Sequence, residues 1–298
     1  MTAPRRVLKN VTYLITRRCL GRMFLLTPSK RTNGLLAFLL AAAAERYGII
    51  LHAVCVLSDH YHCVLTDPDG KLPLFSQFLD SLVARSLNAI HGRWESFWAP
   101  GSYSAVTLLT PRDVVEKIAY ALANPASAGL VEHGRDWPGV WSAPEQIGGV
   151  PLEVDRPGEF FREHGPVPPK ASLRFACPAG FESVEHFRRA LQAALAELEE
   201  QAADRVAKAG RSFRGLRRIL RQRPDERALS NEPRRGLRPR LASRDRWKRL
   251  EAIGRLKKFL QEYRRAWLEF AGGAREAIFP TGTYWIRVAH GVRCAAGG

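Results

Sequence analysis

Two histidines lie one residue apart in the segment VCVLSDHYHCVLTD, residues 54–67, which otherwise has the apolar, β-branched composition of a buried strand. Side chains alternate between the two faces of a strand, so His60 and His62 share one face and Tyr61 lies on the other. Two imidazoles about 7 Å apart along a strand can bind one metal ion. Polar residues that merely end a hairpin strand produce the same spacing, so the pair alone leaves both interpretations open.

A second pair of candidate residues lies about 60 positions further along the chain. Tyr120 and Asn124 are four apart in a segment with helical periodicity, so they share one helix face. Tyrosine can act as a nucleophile, and an asparagine amide can be an oxygen ligand of a metal ion. Because Ile118 and Leu122 give the same helix an apolar face, a core position for Tyr120 is the alternative.

The elements that must position these residues alternate between strands and helices. Composition and periodicity predict strands at 11–19, 49–57, 61–66 and 102–109, and helices at 33–47, 72–90 and from 110 to about 125. Gly48 is expected to end the first helix, and Thr110 followed by Pro111 is expected to begin the third. This order predicts an α+β domain, with one antiparallel sheet and helices on a face.

The charge of the chain is concentrated in one stretch. The 298 residues have a formal net charge of +17, and residues 201–265 contain 22 Lys and Arg against 7 Asp and Glu, whereas the rest is nearly neutral. Such a concentration indicates a polyanionic partner, of which nucleic acid is the first candidate. No membrane is expected as partner, since the longest apolar run, 35–44, is too short to span one.

The cysteines and the first residues indicate a compartment. Five cysteines without a CxxC pair argue against a disulfide framework and against a structural zinc site. The N-terminal segment lacks the apolar region of a secretory signal. We therefore expect a cytoplasmic protein.

The second half of the chain has a different composition. Residues 132–180 are rich in Pro and Gly, 183–200 and 247–267 have helical periodicity, and 210–246 is Arg-rich with few apolar residues, which indicates an extended or disordered basic arm. We therefore divide the chain into a domain at 1–145, a linker at 146–180, and a basic, mainly helical extension at 181–298.

Taken together, the motifs resemble a known family. HYH on a hairpin strand, followed by YALANPASAGLV (120–131) and DWP (136–138), is similar to the HUH endonuclease domain of one-tyrosine transposases, in particular the REP-associated tyrosine transposases of the insertion-sequence-200-like superfamily. The strand VTYLITRRC also matches, and the resemblance covers residues 8–142. One departure is LSDH, where the family has Asn or Glu before the first histidine. Asp59 is thus an extra ligand, a residue that orients a ligand, or a cap of the turn.

The resemblance implies a ferredoxin-like antiparallel sheet with helices on one face. It also implies that His60, His62 and Asn124 bind one Mg²⁺ or Mn²⁺ ion and that Tyr120 attacks a DNA phosphate. The products would be a 5′-phosphotyrosine on the protein and a free 3′-OH, from which rejoining needs no ATP. A phenol with a pKa of about 10 is a poor nucleophile at pH 7, so the metal ion, and Lys117 on the same helix face, are candidates for stabilising the phenolate.

The implied substrate is single-stranded, hairpin-forming DNA, bound by a monomer or a homodimer. The arginines at the end of the first strand and in the basic stretch 205–249 are the candidates for contact with phosphate. They are Arg17, Arg18, Arg217, Arg218, Arg221, Arg234 and Arg235. Trp94, Phe97 and Trp98 could stack on bases, but a core position is the favoured interpretation.

Three other functions compete with this one. The chain could bind DNA or RNA with the fold retained and the chemistry lost. It could be a metal-dependent hydrolase that uses His60, His62 and either Glu116 or Asp59, in which case Tyr120 would be dispensable. It could also be a structural RNA-associated factor that depends only on the basic stretch.

Overall fold

A five-stranded sheet forms the centre of the protein. The structure is a computed structural model and describes residues 4–228 and 239–296. Its strands are β1 Val11–Arg18, β2 Ile50–Val56, β3 His60–Asp67, β4 Ser104–Leu108, β5 Leu152–Asp155, β6 Lys170–Leu173, β7 Leu241–Ala242, β8 Ile278–Phe279 and β9 Arg293–Cys294. Its α-helices are α1 Lys30–Tyr47, α2 Leu72–His91, α3 Pro111–Leu122, α4 Asn124–Ser127, α5 Val184–Lys208, α6 Leu216–Leu220, α7 Arg246–Ala271 and α8 Trp285–His290.

The first six elements have a ferredoxin-like order. The sheet runs β2-β3-β1-β4-β7, in which the pairs β2–β3, β3–β1 and β1–β4 are antiparallel and the pair β4–β7 is parallel. With one helix between β1 and β2 and another between β3 and β4, this is the βαββαβ arrangement. The predicted α+β class with an antiparallel sheet is therefore confirmed.

Helices cover both faces of this sheet, whereas the prediction placed them on one face. α2 lies on the face of Tyr61, whose hydroxyl donates to Asp80 on that helix at 2.8 Å, and α1 packs beside α2. α3 lies on the opposite face, because Tyr120 at its end contacts the ring of His62, the next residue along β3. Tyr120 and His62 thus lie on the face of the sheet opposite α1 and α2.

Local signals explain where the helices begin and end. The Ser29 side chain accepts from the backbone N–H of Thr32 at the start of α1, and Gly48, with φ 66°, ends that helix as predicted. The Thr110 hydroxyl caps α3 by accepting from the N–H of Asp113 at 3.1 Å. α3 ends at Leu122, three residues before Pro125, and the proline is accommodated near the start of the short helix α4.

Residues 146–180, predicted as a linker, contain the β5–β6 hairpin, which packs against α1. Ala171, Leu173 and Phe175 belong to the same apolar core as the central sheet. So do Phe187, Leu191 and Leu195 of α5, which packs against α3. The division into domains remains a prediction about independent folding, while the apolar core is continuous from β1 to α5.

The C-terminal part is attached to the sheet at its far edge. β7 extends the sheet beside β4, and α7 then packs with the β8–β9 pair and α8 around a small core that includes Phe279 and Ile286. The long helix predicted at 247–267 is thus confirmed as α7. Within the described ranges, no helix combines the length and apolarity needed to span a membrane.

Candidate active site

The β2–β3 hairpin and β1 place the two histidines. His62 lies opposite Thr16 in the β1–β3 register, and its Nδ1 is 2.8 Å from the Thr16 hydroxyl. The imidazole centroids of His60 and His62 are 4.8 Å apart, with the rings nearly perpendicular. With metal–nitrogen bonds of about 2.0–2.2 Å, rings this close can share one ion. The predicted common face of the pair is therefore present, and Thr16 is a partner that the motif alone did not reveal.

The environment of His62 keeps its ring neutral. Its residue surface is 4% exposed. Burial, with smaller contributions from the charges of His60 and Arg18, holds the pKa of His62 well below its ordinary value. The Asn124 amide nitrogen donates to Nε2 at 3.1 Å, so the ring proton is on Nδ1 and is donated to Thr16. His62 consequently presents a lone pair on Nε2 toward Asn124.

Asp59 orients the other histidine. One oxygen of its buried carboxylate is 2.6 Å from Nδ1 of His60, and the other accepts from Nε of Arg22 at 3.2 Å. Burial acts to raise the pKa of Asp59, but the hydrogen bonds and charges of His60 and Arg22 outweigh it and lower the pKa. Since a carboxylate can only accept, Nδ1 of His60 donates to Asp59, and Nε2 is the ring nitrogen that faces away from this partner. Of the three roles left open for Asp59, the structure supports orientation of a ligand.

Tyr120 and Asn124 reach the histidines from the end of α3. The ring of Tyr120 packs edge-on against His62 with centroids 5.5 Å apart, and 43% of its surface is exposed. Asn124, the first residue of α4, contacts the same imidazole through its amide. The ammonium of Lys117 lies 5.4 Å from the centroid of the Tyr120 ring. The structure thus brings together residues that are 60 positions apart in the sequence.

Two tryptophans hold this helix end beside the hairpin. The indole of Trp141 donates to the carbonyl of Leu122 at 3.0 Å, which satisfies an acceptor at the end of α3. The indole of Trp137 donates to the carbonyl of Val56, the last residue of β2, at 2.8 Å. A Cβ at Gly134 would lie only 2.4 Å from the same Leu122 carbonyl oxygen, so a side chain there would displace α3. Trp141 and Gly134 therefore fix the end of α3 near the tyrosine, and Trp137 of the DWP segment attaches the same loop to β2.

The donor set fits one divalent cation. His60 and His62 each have Nδ1 engaged by an outer partner, which is the arrangement that leaves Nε2 for a metal ion. Half a turn of the Asn124 amide would exchange its nitrogen for Oδ1 and complete a set of two nitrogens and one oxygen. In the described part of the chain, no group of three or more His, Cys, Asp or Glu side chains could hold a metal ion. A metal site here thus needs the asparagine.

The two arginines at the end of β1 have different environments. The Arg17 guanidinium, 12% exposed, is 3.4 Å from the Asp80 carboxylate and donates to the Gly101 carbonyl at 2.8 Å. Arg18 is exposed, lies opposite His60 in the register, and therefore shares the face of the histidines. Arg18 is placed to meet a ligand at this site, while Arg17 is engaged on the other face.

Part of the predicted basic arm is ordered beside the site. Ile219 of α6 is fully buried against Cys55 and Leu57 on the β2 side, and the Ser58 hydroxyl donates to the side chain of Gln222 at 2.5 Å. The prediction of an extended or disordered arm is therefore wrong for residues 211–228. One buried apolar residue and several polar contacts dock this segment on the domain. Arg217, Arg218 and Arg221 are exposed. Arg234 and Arg235 lie outside the described residues.

The remaining candidates lie apart from this constellation. Phe97 and Trp98 are buried, as the core interpretation predicted, whereas Trp94 is 95% exposed. The carboxylate of Glu116 is bound by Arg112 at 3.1 Å and by Arg244 at 2.9 Å. A hydrolase that uses this carboxylate as a metal ligand would have to break both ion pairs.

Comparison with known proteins adds two partial structural likenesses. No protein-family model and no curated protein matches the chain. A REP-associated tyrosine transposase bound to a REP hairpin is 22% identical, with a TM-score of 0.39 over 46% of this chain and 81% of that one. A structure from Deinococcus radiodurans R1, provisionally described as a transposase, is 22% identical, with a TM-score of 0.29 over 36% of this chain and 85% of that one. Likenesses of this size do not establish a function, which has to be argued from the site.

Proposed function

We propose that the protein is a transposase-like, metal-dependent single-strand DNA endonuclease and strand transferase that acts through a 5′-phosphotyrosine. The observation that supports this most is the convergence of Tyr120 and Asn124 on the imidazole of His62. Two-step covalent strand transfer requires a nucleophile that can act as the leaving group in the second step, next to residues that can bind a cation.

His60, His62 and Asn124 are the residues that would hold Mg²⁺ or Mn²⁺, which supplies Lewis-acid polarisation of the scissile phosphate. Thr16 and Asp59 bind Nδ1 of His62 and His60, so Nε2 is the nitrogen that each ring would offer to the ion. Burial lowers the pKa of His62 and so favours the uncharged ring at neutral pH.

The nucleophilic step uses the phenolic oxygen of Tyr120. This oxygen forms a bond to the scissile phosphorus, the bond from phosphorus to the 3′ oxygen breaks, the phenolic proton passes to solvent, and the leaving 3′ oxygen takes up a proton. The exposure of the Tyr120 ring leaves room for a strand to approach. Positive charge from Lys117, 5.4 Å from the ring centroid, favours the phenolate. Attack of a 3′-OH on the phosphotyrosine reverses the step and rejoins the strand.

All the side chains of this constellation belong to one chain, so we propose that a monomer can act in cis. The substrate we propose is single-stranded, hairpin-forming DNA. The charge excess of residues 201–265 and the exposed arginines Arg18, Arg217, Arg218 and Arg221 support an anionic, extended ligand.

A covalent-adduct assay tests the proposal. A pool of single-stranded hairpins with random flanks, labelled at the 3′ end, is incubated with protein and Mn²⁺ and then separated under denaturing conditions. The 3′ label should migrate with the protein, since the downstream fragment is joined through its 5′ phosphate. The adduct should vanish in Tyr120→Phe and His62→Ala and persist in Tyr284→Phe, a tyrosine of the C-terminal part.

Other outcomes would point to the competing functions. Cleavage that survives Tyr120→Phe without an adduct would indicate a metal-dependent hydrolase. Binding of single strands without cleavage would indicate a binding protein that retains the fold, and equal binding of duplex and single strands would indicate a factor driven by charge alone.

A further inference from the structure

The ordered part of the basic stretch forms a cleft next to the candidate active site. The cleft has a volume of about 490 Å³, is open to solvent, and is lined by small, apolar and basic residues. The lining residues are Ala128, Gly129, Leu130, Ser212, Arg214 and Arg218. Ala128 directly follows α4, the short helix that begins with Asn124. The cleft is therefore about one helical turn from the proposed metal ligand.

Backbone contacts give the cleft a fixed shape. The N–H of Arg214 donates to the Gly129 carbonyl at 2.9 Å, and the N–H of Gly215 donates to the Leu130 carbonyl at 3.0 Å. Ile219, fully buried, anchors the helix that carries Arg218. The two guanidinium groups are thus mounted on a docked segment rather than on a free chain, which reduces the entropy lost when they bind a ligand.

The charge of the cleft is not compensated within the described ranges. Arg112, Arg223 and Arg244 form ion pairs with acidic residues, whereas Arg214 and Arg218 form none there. Two guanidinium groups and the hydroxyl of Ser212 are the donors that bind a phosphate group. The cleft therefore fits an anion of the size and charge of a phosphodiester.

The position of the cleft relative to the sheet indicates a path for the ligand. Ile219 packs against Cys55 of β2, and Cys55 lies opposite His62 in the register, so α6 is on the histidine face at the β2 side. Arg18 is on the same face at the β1 side, opposite His60. Because β3 lies between β2 and β1, the histidines stand between Arg18 and the cleft. Neighbouring strands are about 4.8 Å apart, so this row is short enough for a few nucleotides.

We infer that the Ser212, Arg214 and Arg218 cleft binds a backbone phosphate of single-stranded DNA on one side of the scissile phosphate, while Arg18 binds the strand on the other side. This inference rests on the proposed function for the identity of the polymer. The DNA strand would then cross β2, β3 and β1 instead of running along β3. The phosphate on one side of the scissile phosphate would be bound by a segment outside the ferredoxin-like core.

Salt dependence of binding tests the cleft without requiring catalysis. Each lost phosphate contact reduces the slope of log K against log salt by about 0.7 for a single strand. Arg214→Gln/Arg218→Gln removes the contact with one phosphate, so it should reduce the slope by about 0.7 and weaken binding by about fivefold at 0.1 M salt. Arg214→Lys/Arg218→Lys should retain most of the slope. The control, Arg174→Gln/Arg189→Gln, removes the same charge from exposed sites elsewhere and should leave the slope within about 0.3.

Neutral linkages locate the contact. Single methylphosphonates are placed at successive positions of one oligonucleotide, and binding by wild-type protein is measured for each. We expect a neutral linkage at one position to weaken binding by the wild-type protein but not by Arg214→Gln/Arg218→Gln. A neutral linkage at a different position should weaken binding by the wild-type protein but not by Arg18→Gln. An unchanged salt slope in the folded cleft variant, or loss of sensitivity at the same position for both variants, overturns the inference. A changed slope without any covalent adduct in wild type would retain the cleft and refute the nuclease.

Discussion

Replacing Asp59 by Asn tests whether this carboxylate prepares His60 for a metal ion. The substitution preserves size but removes a buried charge that binds Nδ1 of His60 at 2.6 Å and Nε of Arg22 at 3.2 Å. A carboxylate can only accept, whereas an amide can also donate to Nδ1 and thereby move the imidazole proton onto Nε2. That tautomer cannot bind a metal ion through Nε2.

The expected loss follows from these two contacts. A hydrogen bond to a charged group contributes about 1.5–3 kcal/mol. Removal of an outer partner of a metal-binding histidine lowers metal affinity by about 10–100-fold, or about 1.4–2.7 kcal/mol. The two ranges agree, so we expect Asp59→Asn to weaken Mn²⁺ binding by 10–100-fold and to reduce adduct formation at fixed Mn²⁺ by a similar factor.

Calorimetric titration with Mn²⁺ measures the effect directly. Asp69→Asn is the matched control, since Asp69 is half-exposed and pairs with Lys71 away from the histidines. His60→Ala sets the loss expected when the ligand itself is absent. An Asp59→Asn protein that binds Mn²⁺ within about threefold of wild type would show that Asp59 only caps the turn.

Three further outcomes are expected. Arg17→Ala should lower the free energy of unfolding by about 3–5 kcal/mol, because it removes the cationic partner of the buried Asp80 carboxylate. Arg18→Ala should change the free energy of unfolding by under about 0.5 kcal/mol but weaken single-strand binding. Urea unfolding measures the first effect and a binding titration the second. Mixing Tyr120→Phe with His60→Ala should not restore the adduct, and restoration would show that the tyrosine acts in a partner's site. Burial raises the pKa of Asp80 to about 6, so between pH 4 and 6 the folded state binds more protons than the unfolded state and wild-type stability falls as the pH rises. Asn cannot titrate, so the unfolding free energy of Asp80→Asn relative to wild type should rise by up to about 3 kcal/mol from pH 4 to pH 7.5, and a difference that does not change with pH would refute the assignment.

The sheet and its helices could be predicted because local signals agree with the packing. The apolar, β-branched composition of β2 and β3, the caps at Thr110 and Gly48, and the periodicity of α2 all place elements within a few residues of their observed bounds. The order of the strands in the sheet follows from contacts between distant residues, which periodicity does not report. For the same reason the sequence could not show that α3 lies on the face opposite α1 and α2.

The candidate site divides in the same way. Residue type and spacing identify His60, His62, Tyr120 and Asn124, but not the partners that prepare them. Thr16 is recognisable only from the β1–β3 register, since a threonine in a strand has no special signal. Similarly, Ile219 is one of a few apolar residues among arginines, a composition that predicts disorder, although the burial of Ile219 is what docks the segment. Low apolar content therefore does not exclude order when a preformed surface provides the rest of the core.

The central claim is that the phenolic oxygen of Tyr120 becomes bonded to a DNA phosphate, and mass spectrometry of the adduct tests it most directly. After reaction with single-stranded hairpins, nuclease digestion and trypsin, the peptide of residues 118–135 contains Tyr120 as its only tyrosine. We predict that this peptide gains the mass of a 5′-linked nucleotide and that fragmentation assigns the mass to Tyr120. Cleaved DNA with this peptide unmodified, or a nucleotide attached to another residue, would contradict the account.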